Sequence, residues 1–108
     1  GDYPLNTYEA VFILRDDKPD TPPESFVDEI VSRIESLGGK LVEKTPLGRK
    51  SFVRPIKGQN AGSYWDLVIQ LPADQVQALK DSYSLNETVL RVDVFSYVES
   101  VSTPVNAT

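Results

Sequence analysis

The stretch Lys40–Leu71, KLVEKTPLGRKSFVRPIKGQNAGSYWDLVIQL, reads as two strands joined by a flexible tip, and the rest of the chain arranges itself around that hairpin. Lys40–Ile56 is one long strand interrupted only by Pro46-Leu47-Gly48, which in mid-strand indicates a bulge or an edge position. Lys57–Gly62, KGQNAG, is the tip. Ser63–Leu71 alternates, with Trp65, Leu67, Ile69 and Leu71 on the face expected to meet a helix and Tyr64, Asp66, Val68 and Gln70 on the other.

Before the hairpin, Thr7–Arg15 alternates Tyr8, Ala10, Phe12 and Leu14 against Glu9, Val11 and Ile13. Both faces carry apolar residues, which predicts a central strand. The proline-punctuated loop Asp16–Pro23 leads to a helix start with Thr21 as N-cap, prolines in the first turn and Glu24 at the capping-box position. Phe26, Val27, Ile30, Val31, Ile34 and Leu37 recur at helical spacing, and Gly38-Gly39 supplies the stop. After the hairpin, Pro72–Tyr83 spaces Val76, Leu79 and Tyr83 for a short helix. Thr88–Phe95 is a last strand with Leu90, Val92 and Val94 opposite Arg91, Asp93 and Phe95.

The order β-α-β-β-α-β, with right-handed crossovers, predicts an α+β ferredoxin-like sandwich: a four-stranded antiparallel sheet with two helices on one face. The first and the last of the helix-facing strands are assigned to the middle of the sheet and the second strand to an edge. The domain spans 7–95, and 96–108 is expected to be a flexible C-terminal tail. The chain of 108 residues suits one domain. Gly1 and Asp2 read as a trimmed or engineered end.

With no Cys and no His, disulfides, thiolate metal sites and the commonest general base are excluded. An enzyme would depend on carboxylates, Lys or Tyr, so no enzyme, no metal site, no cofactor and no small-molecule substrate is expected. Asp16, Asp17 and Asp20 lack metal-loop spacing and read as a solvated loop. No leader and no apolar run near twenty residues is visible, which gives no membrane partner and a cytoplasmic expectation.

The formal net charge is −5, which argues against nucleic-acid binding by bulk charge. Charge is unevenly distributed, however. Lys40–Lys57 holds six of the eleven basic residues and one of the sixteen acids, a local +5 against −10 elsewhere. On an edge strand, Arg49, Lys50, Arg54 and Lys57 have two readings: a row that tracks phosphates, or charges that keep an exposed edge from pairing with other sheets. Arg54 shares strand parity with Phe52 and Ile56, so without a further bulge it would point to the helix side. Tyr64 reads as a sheet-face residue covered by a partner, with base stacking as the alternative. Val11, Ile13, Val68 and Phe95 form an apolar patch on the face away from the helices, a docking surface for another chain or for the tail.

Tyr8-Glu9, Leu47-Gly48-Arg49-Lys50 followed by Val53-Arg54-Pro55-Ile56-Lys57, Gly62-Ser63-Tyr64 and Val89-Leu90-Arg91 together resemble the bacterial small-subunit ribosomal protein S-six family, over about Thr7–Phe95. The resemblance implies a ribosomal component that binds small-subunit ribosomal RNA together with ribosomal protein S-eighteen. It places Arg49, Lys50, Arg54, Lys57, Tyr64 and Arg91 at the RNA and Val11, Ile13, Val68 and Phe95 at the partner. The chain departs from the family at Asn6-Thr7, where a basic residue is usual, at Lys50, which replaces Arg and lacks its bidentate fork, and at Arg54, which replaces Tyr. Those departures sustain a second reading, a non-ribosomal interaction module that self-associates into a homodimer through its open sheet face or edge strand.

Overall fold

The N-terminal alternation becomes β1 (Leu5–Leu14) in the computed structural model, which describes residues 4–18, 20 and 22–97. Ala10, Phe12 and Leu14 lose all solvent contact on the helix side. The helix α1 (Pro23–Ser36) begins where proline is least costly, at its first position, with the Pro22 carbonyl accepting from the Ser25 and Phe26 amides at 3.1 and 3.4 Å. The predicted N-cap Thr21 lies outside the described residues. The cap position itself falls on Pro22 and carries no side-chain hydrogen bond, while Glu24 sits in the first turn beside the positive end of the helix.

Two consecutive glycines end α1 for different reasons. Gly38 takes φ +91°, and the Gly38 and Gly39 amides donate to Glu35 O and Ile34 O at 3.0 Å each, closing a Schellman turn. At Gly39 a Cβ would collide with the Gln70 carbonyl and come within 2.8 Å of Leu71 Cδ1. The bare backbone there lets the helix exit pass directly over the third strand.

The remaining elements are β2 (Lys40–Ile56), β3 (Gln59–Pro72), a 3-10 turn at Ala73–Gln75, α2 (Val76–Tyr83) and β4 (Val89–Ser96). The sheet is antiparallel in every pairing, with the order β2-β3-β1-β4. β1 is central and β2 is an edge, as expected. The last strand is not in the middle: β4 is the second edge, and β3 lies beside β1. The hairpin puts β3 next to β2, β3 then fills the gap that the first crossover leaves, and β4 is left the outer side of β1. Its burial agrees, since only Val89 and Leu90 of β4 are buried whereas Trp65, Leu67, Ile69 and Leu71 of β3 all are.

One core fills the space between sheet and helices. Val27, Ile30 and Ile34 of α1 and Leu79 and Tyr83 of α2 cover Phe12, Leu14, Leu67, Ile69 and Leu71. Ser96 ends β4, and the Tyr97 amide donates to Thr7 O at 3.0 Å. The rest of the predicted tail, 98–108, lies outside the described residues. Among the described residues no helix is long and apolar enough to cross a membrane.

Candidate nucleic-acid interface

β1 ends where Leu14 pairs with Ser63, yet the β2–β3 hairpin continues beyond it. Lys50, Arg54 and Lys57 therefore lie on a two-stranded arm that projects past the end of β1, whereas Lys40, Lys44 and Arg49 stand opposite β3 residues that pair with β1. The arm's turn is tighter than the sequence suggested. Lys57 and Gly58 alone form it, at φ 49° and 79°, and Gln59 already pairs with Ile56. Two successive left-handed residues make the type I′ geometry that follows the twist of the flanking strands.

Three register shifts break β2, between Leu41 and Glu43, Pro46 and Gly48, and Ser51 and Ile56. The second is the bulge foreseen at Pro46-Leu47-Gly48. The third loops out Phe52–Pro55 against Asn60 alone, so simple alternation fails there. Arg54 consequently does not turn to the helix side. It is exposed and borders a groove of about 460 Å³ with Phe52, Pro55, Tyr64 and Arg91.

Phe52 builds the floor of this groove by filling the space above Gly62. A Cβ on Gly62 would lie 3.0 Å from Phe52 Cζ, from Ile13 Cγ2 and from Leu14 O. Ile13, which pairs with Tyr64 on one side and Arg91 on the other, is accordingly only 5 % exposed. It supports the groove from beneath and is not part of an open patch. Phe52 and Tyr64 rings meet at 6.2 Å, and the Lys50 ammonium stands 5.5 Å over the Tyr64 ring, within cation–π range.

The six residues assigned to RNA thus separate into two groups. Arg54, Tyr64 and Arg91 line the groove, and Lys50 stands over the Tyr64 ring beside it. Arg49 instead bonds Asp16 at 2.9 Å, and Lys57 turns back to the body of the domain. Arg91 donates to Asp93 at 2.9 Å from an exposed position, and Arg54 has no ion-pair partner among the described residues. In the Asp16–Asp20 loop, Asp17 is gripped by Arg15 through two bonds of 3.0 and 2.8 Å, which holds its carboxyl below the ordinary range. No group of three or more potential metal ligands forms among the described residues.

The rest of the open face is less apolar than the sequence suggested. Register places Asp66 beside Val11 and Asp93 beyond it, while Val68 and Phe95 flank Glu9. Carboxylates therefore interleave the patch of Val11, Val68 and Phe95. Burial, then a hydrogen bond with the Glu9 carboxyl and its charge, push the Asp66 carboxyl up to about 6. Its Oδ1 is buried without a partner among the described residues. Alternation puts Glu9 and Asp66 on the open faces of two strands, but only the pairing register makes them neighbours.

Because the native state holds the Asp66 proton more tightly than the unfolded chain, stability should fall as pH rises from the ordinary value of 3.8 to about 6 and level off above. Asp66→Asn is expected to remove that slope and to stabilise the domain near neutral pH by about 1–2 kcal/mol, after discount for solvent screening. Urea titrations at several pH values check both.

Comparison with known proteins agrees with this architecture. The family model described as Ribosomal protein S6 matches residues 7–96. The small ribosomal subunit protein bS6 of Dinoroseobacter shibae is 34% identical over 85 residues, covering 79% of this chain and 73% of that protein. Its counterpart in Zymomonas mobilis is 33% identical over 84 residues, 78% of this chain and 68% of that one. In fold, the 30S ribosomal protein S6 of Thermotoga maritima superimposes with a TM-score of 0.76 over 87% of this chain and 89% of its own, at 24% identity. These relatives are ribosomal proteins and not enzymes. With the family match spanning β1, the arm and β4, the chain belongs to the ribosomal protein S6 family.

Proposed function

We propose that this chain is a structural component of the bacterial small ribosomal subunit, acting in the cytoplasm, that binds small-subunit ribosomal RNA together with ribosomal protein S-eighteen. The observation that carries the reading is the groove at the root of the arm. Arg54 and Arg91 come from strands that are not neighbours and still border one concavity with an aromatic floor, while Lys50 sits over Tyr64. Guanidinium groups on either side of a shallow groove suit a phosphate backbone, which fixes position without reading sequence.

The open face supports the partner half of the reading. Val11, Val68 and Phe95 offer apolar area, and the Glu9–Asp66 carboxyl pair with Asp93 beside it favours a basic partner. Division of labour follows: the acidic chain supplies the shape and the groove, and its partner adds positive charge to the complex. Filter-binding titrations with the central region of small-subunit rRNA should show weak, salt-sensitive binding by the chain alone and tighter binding when S-eighteen is present. Absence of any gain with the partner would count against the proposal.

Self-association through β2 has less support. Three register shifts, Pro46 and the run of Lys and Arg all blunt that edge.

A further inference from the structure

The arm can shape a groove only if its tip is held against the body, and the Arg49–Asp16 bond ties only its base, at the level of Ser63. The link is Lys57. Its ammonium donates to Ser84 O at 3.2 Å, to Asn86 O at 3.1 Å and to Val89 O at 2.9 Å. A lysine ammonium has three N–H donors, so these carbonyls occupy all of them and leave none for a phosphate. The acceptors lie in the turn from α2 to β4 and on the first residue of β4, and the Ser84 carbonyl at the negative end of α2 favours a cation. The turn has its own order: Asn86 Oδ1 accepts from the Thr88 and Val89 amides at 2.7 and 3.1 Å.

The backbone at Lys57 points the same way. The first central position of a type I′ turn favours Asn, Asp or Gly, because a side chain in the left-handed region is strained. A lysine stands there at φ 49°, in a conformation it disfavours, with its side chain fully engaged.

We infer that Lys57 is a positioning residue and not an RNA ligand: it clamps the tip of the β2–β3 arm to the α2–β4 turn and so sets Arg54 and Tyr64 against Arg91 of β4. For its effect on RNA this rests on the rRNA-binding reading above; the clamp itself does not. Arg91 lies two residues beyond the clamped Val89 carbonyl, so one cation registers both walls of the groove.

Lys57→Asn separates the alternatives, because asparagine favours the turn and lacks the reach of the ammonium. Lys57→Arg is the second variant: it keeps the charge, but a planar guanidinium cannot direct three donors from one atom. Three measurements are made: affinity for the central region of small-subunit rRNA in the presence of S-eighteen, the slope of log affinity against log salt, and amide exchange at Gln59, Thr88 and Val89. As a clamp, Lys57→Asn lowers affinity roughly 3–10-fold at every salt concentration with the slope unchanged, speeds exchange at those amides about tenfold, and is not rescued by Lys57→Arg. The inference is overturned if Lys57→Asn lowers the slope by about 0.9, as a lost phosphate contact would, leaves exchange unchanged, and is rescued by Lys57→Arg. Arg54→Gln is the control. If neither Arg54→Gln nor Lys57→Asn alters RNA binding, the RNA contact lies outside this groove and the groove-setting part of the inference fails, while the exchange rates still decide whether the clamp exists.

Discussion

Replacing Arg54 and Arg91 together by glutamate is expected to reduce affinity for small-subunit rRNA about 100-fold while leaving the fold intact. Both side chains are exposed at the groove margin, and neither belongs to the core. A hydrogen bond to a charged group is worth about 1.5–3 kcal/mol, so loss of two such contacts, moderated by solvent and salt, amounts to roughly 2.7 kcal/mol, or two decades. Glutamate adds repulsion of phosphate at the same places. Loss of two contacts should also lower the salt slope by about 1.8. Filter binding between about 50 and 200 mM salt reads both quantities. An affinity within threefold of the parent, with an unchanged slope, would move the RNA contact away from this groove. Arg49→Gln is the companion control: because Arg49 is paired with Asp16 at 2.9 Å outside the groove, its effect should be small.

Phe12→Ala should have the largest effect on stability, a loss of about 3–5 kcal/mol. Phe12 is fully buried in the central strand, in register with Trp65 on one side and Val92 on the other. It also meets Tyr83 of α2 edge-to-face at 5.6 Å, and Phe26 of α1 reaches the same tyrosine ring at 6.1 Å. One side chain thus joins three strands and a helix, so its loss leaves a cavity at their junction. For a domain of this size, total stability is of order 5–15 kcal/mol, so the variant would be marginal. Urea denaturation should show a much lower midpoint with an unchanged slope, and thermal unfolding should drop by about 15–30 °C. A cost below about 1.5 kcal/mol would mean the core is looser around this ring than the packing indicates.

Much of the fold follows from local patterns. Phe26 to Leu37 recurs at helical spacing and Gly38-Gly39 terminates it, so α1 was legible to within a few residues. The buried faces of β1 and β3 were legible from alternation, because burial on one side of a sheet requires period two. The bulge at Pro46-Leu47-Gly48 was legible from the proline and glycine in mid-strand. The site was only half legible. Arg54, Tyr64, Arg91 and Lys50 stand out in the sequence only as single residues, and Phe52, which builds the groove floor, carries no local signal that distinguishes it from any other strand phenylalanine.

What the amino-acid sequence determined by itself was the kind and order of the elements, the faces they bury, and the basic island at Lys40–Lys57. Those properties depend on residues within one or two turns of each other. Tertiary structure alone decided that β4 is an edge, that Phe52–Pro55 loops out so that Arg54 joins Arg91, that Glu9 lies beside Asp66, and that Lys57 reaches Ser84, Asn86 and Val89. Each of these brings together residues about 27 to 88 positions apart, and pairing register is a collective choice of the whole sheet. A cation in the sequence carries its charge wherever it stands; the fold decides whether that charge faces a phosphate or a carbonyl.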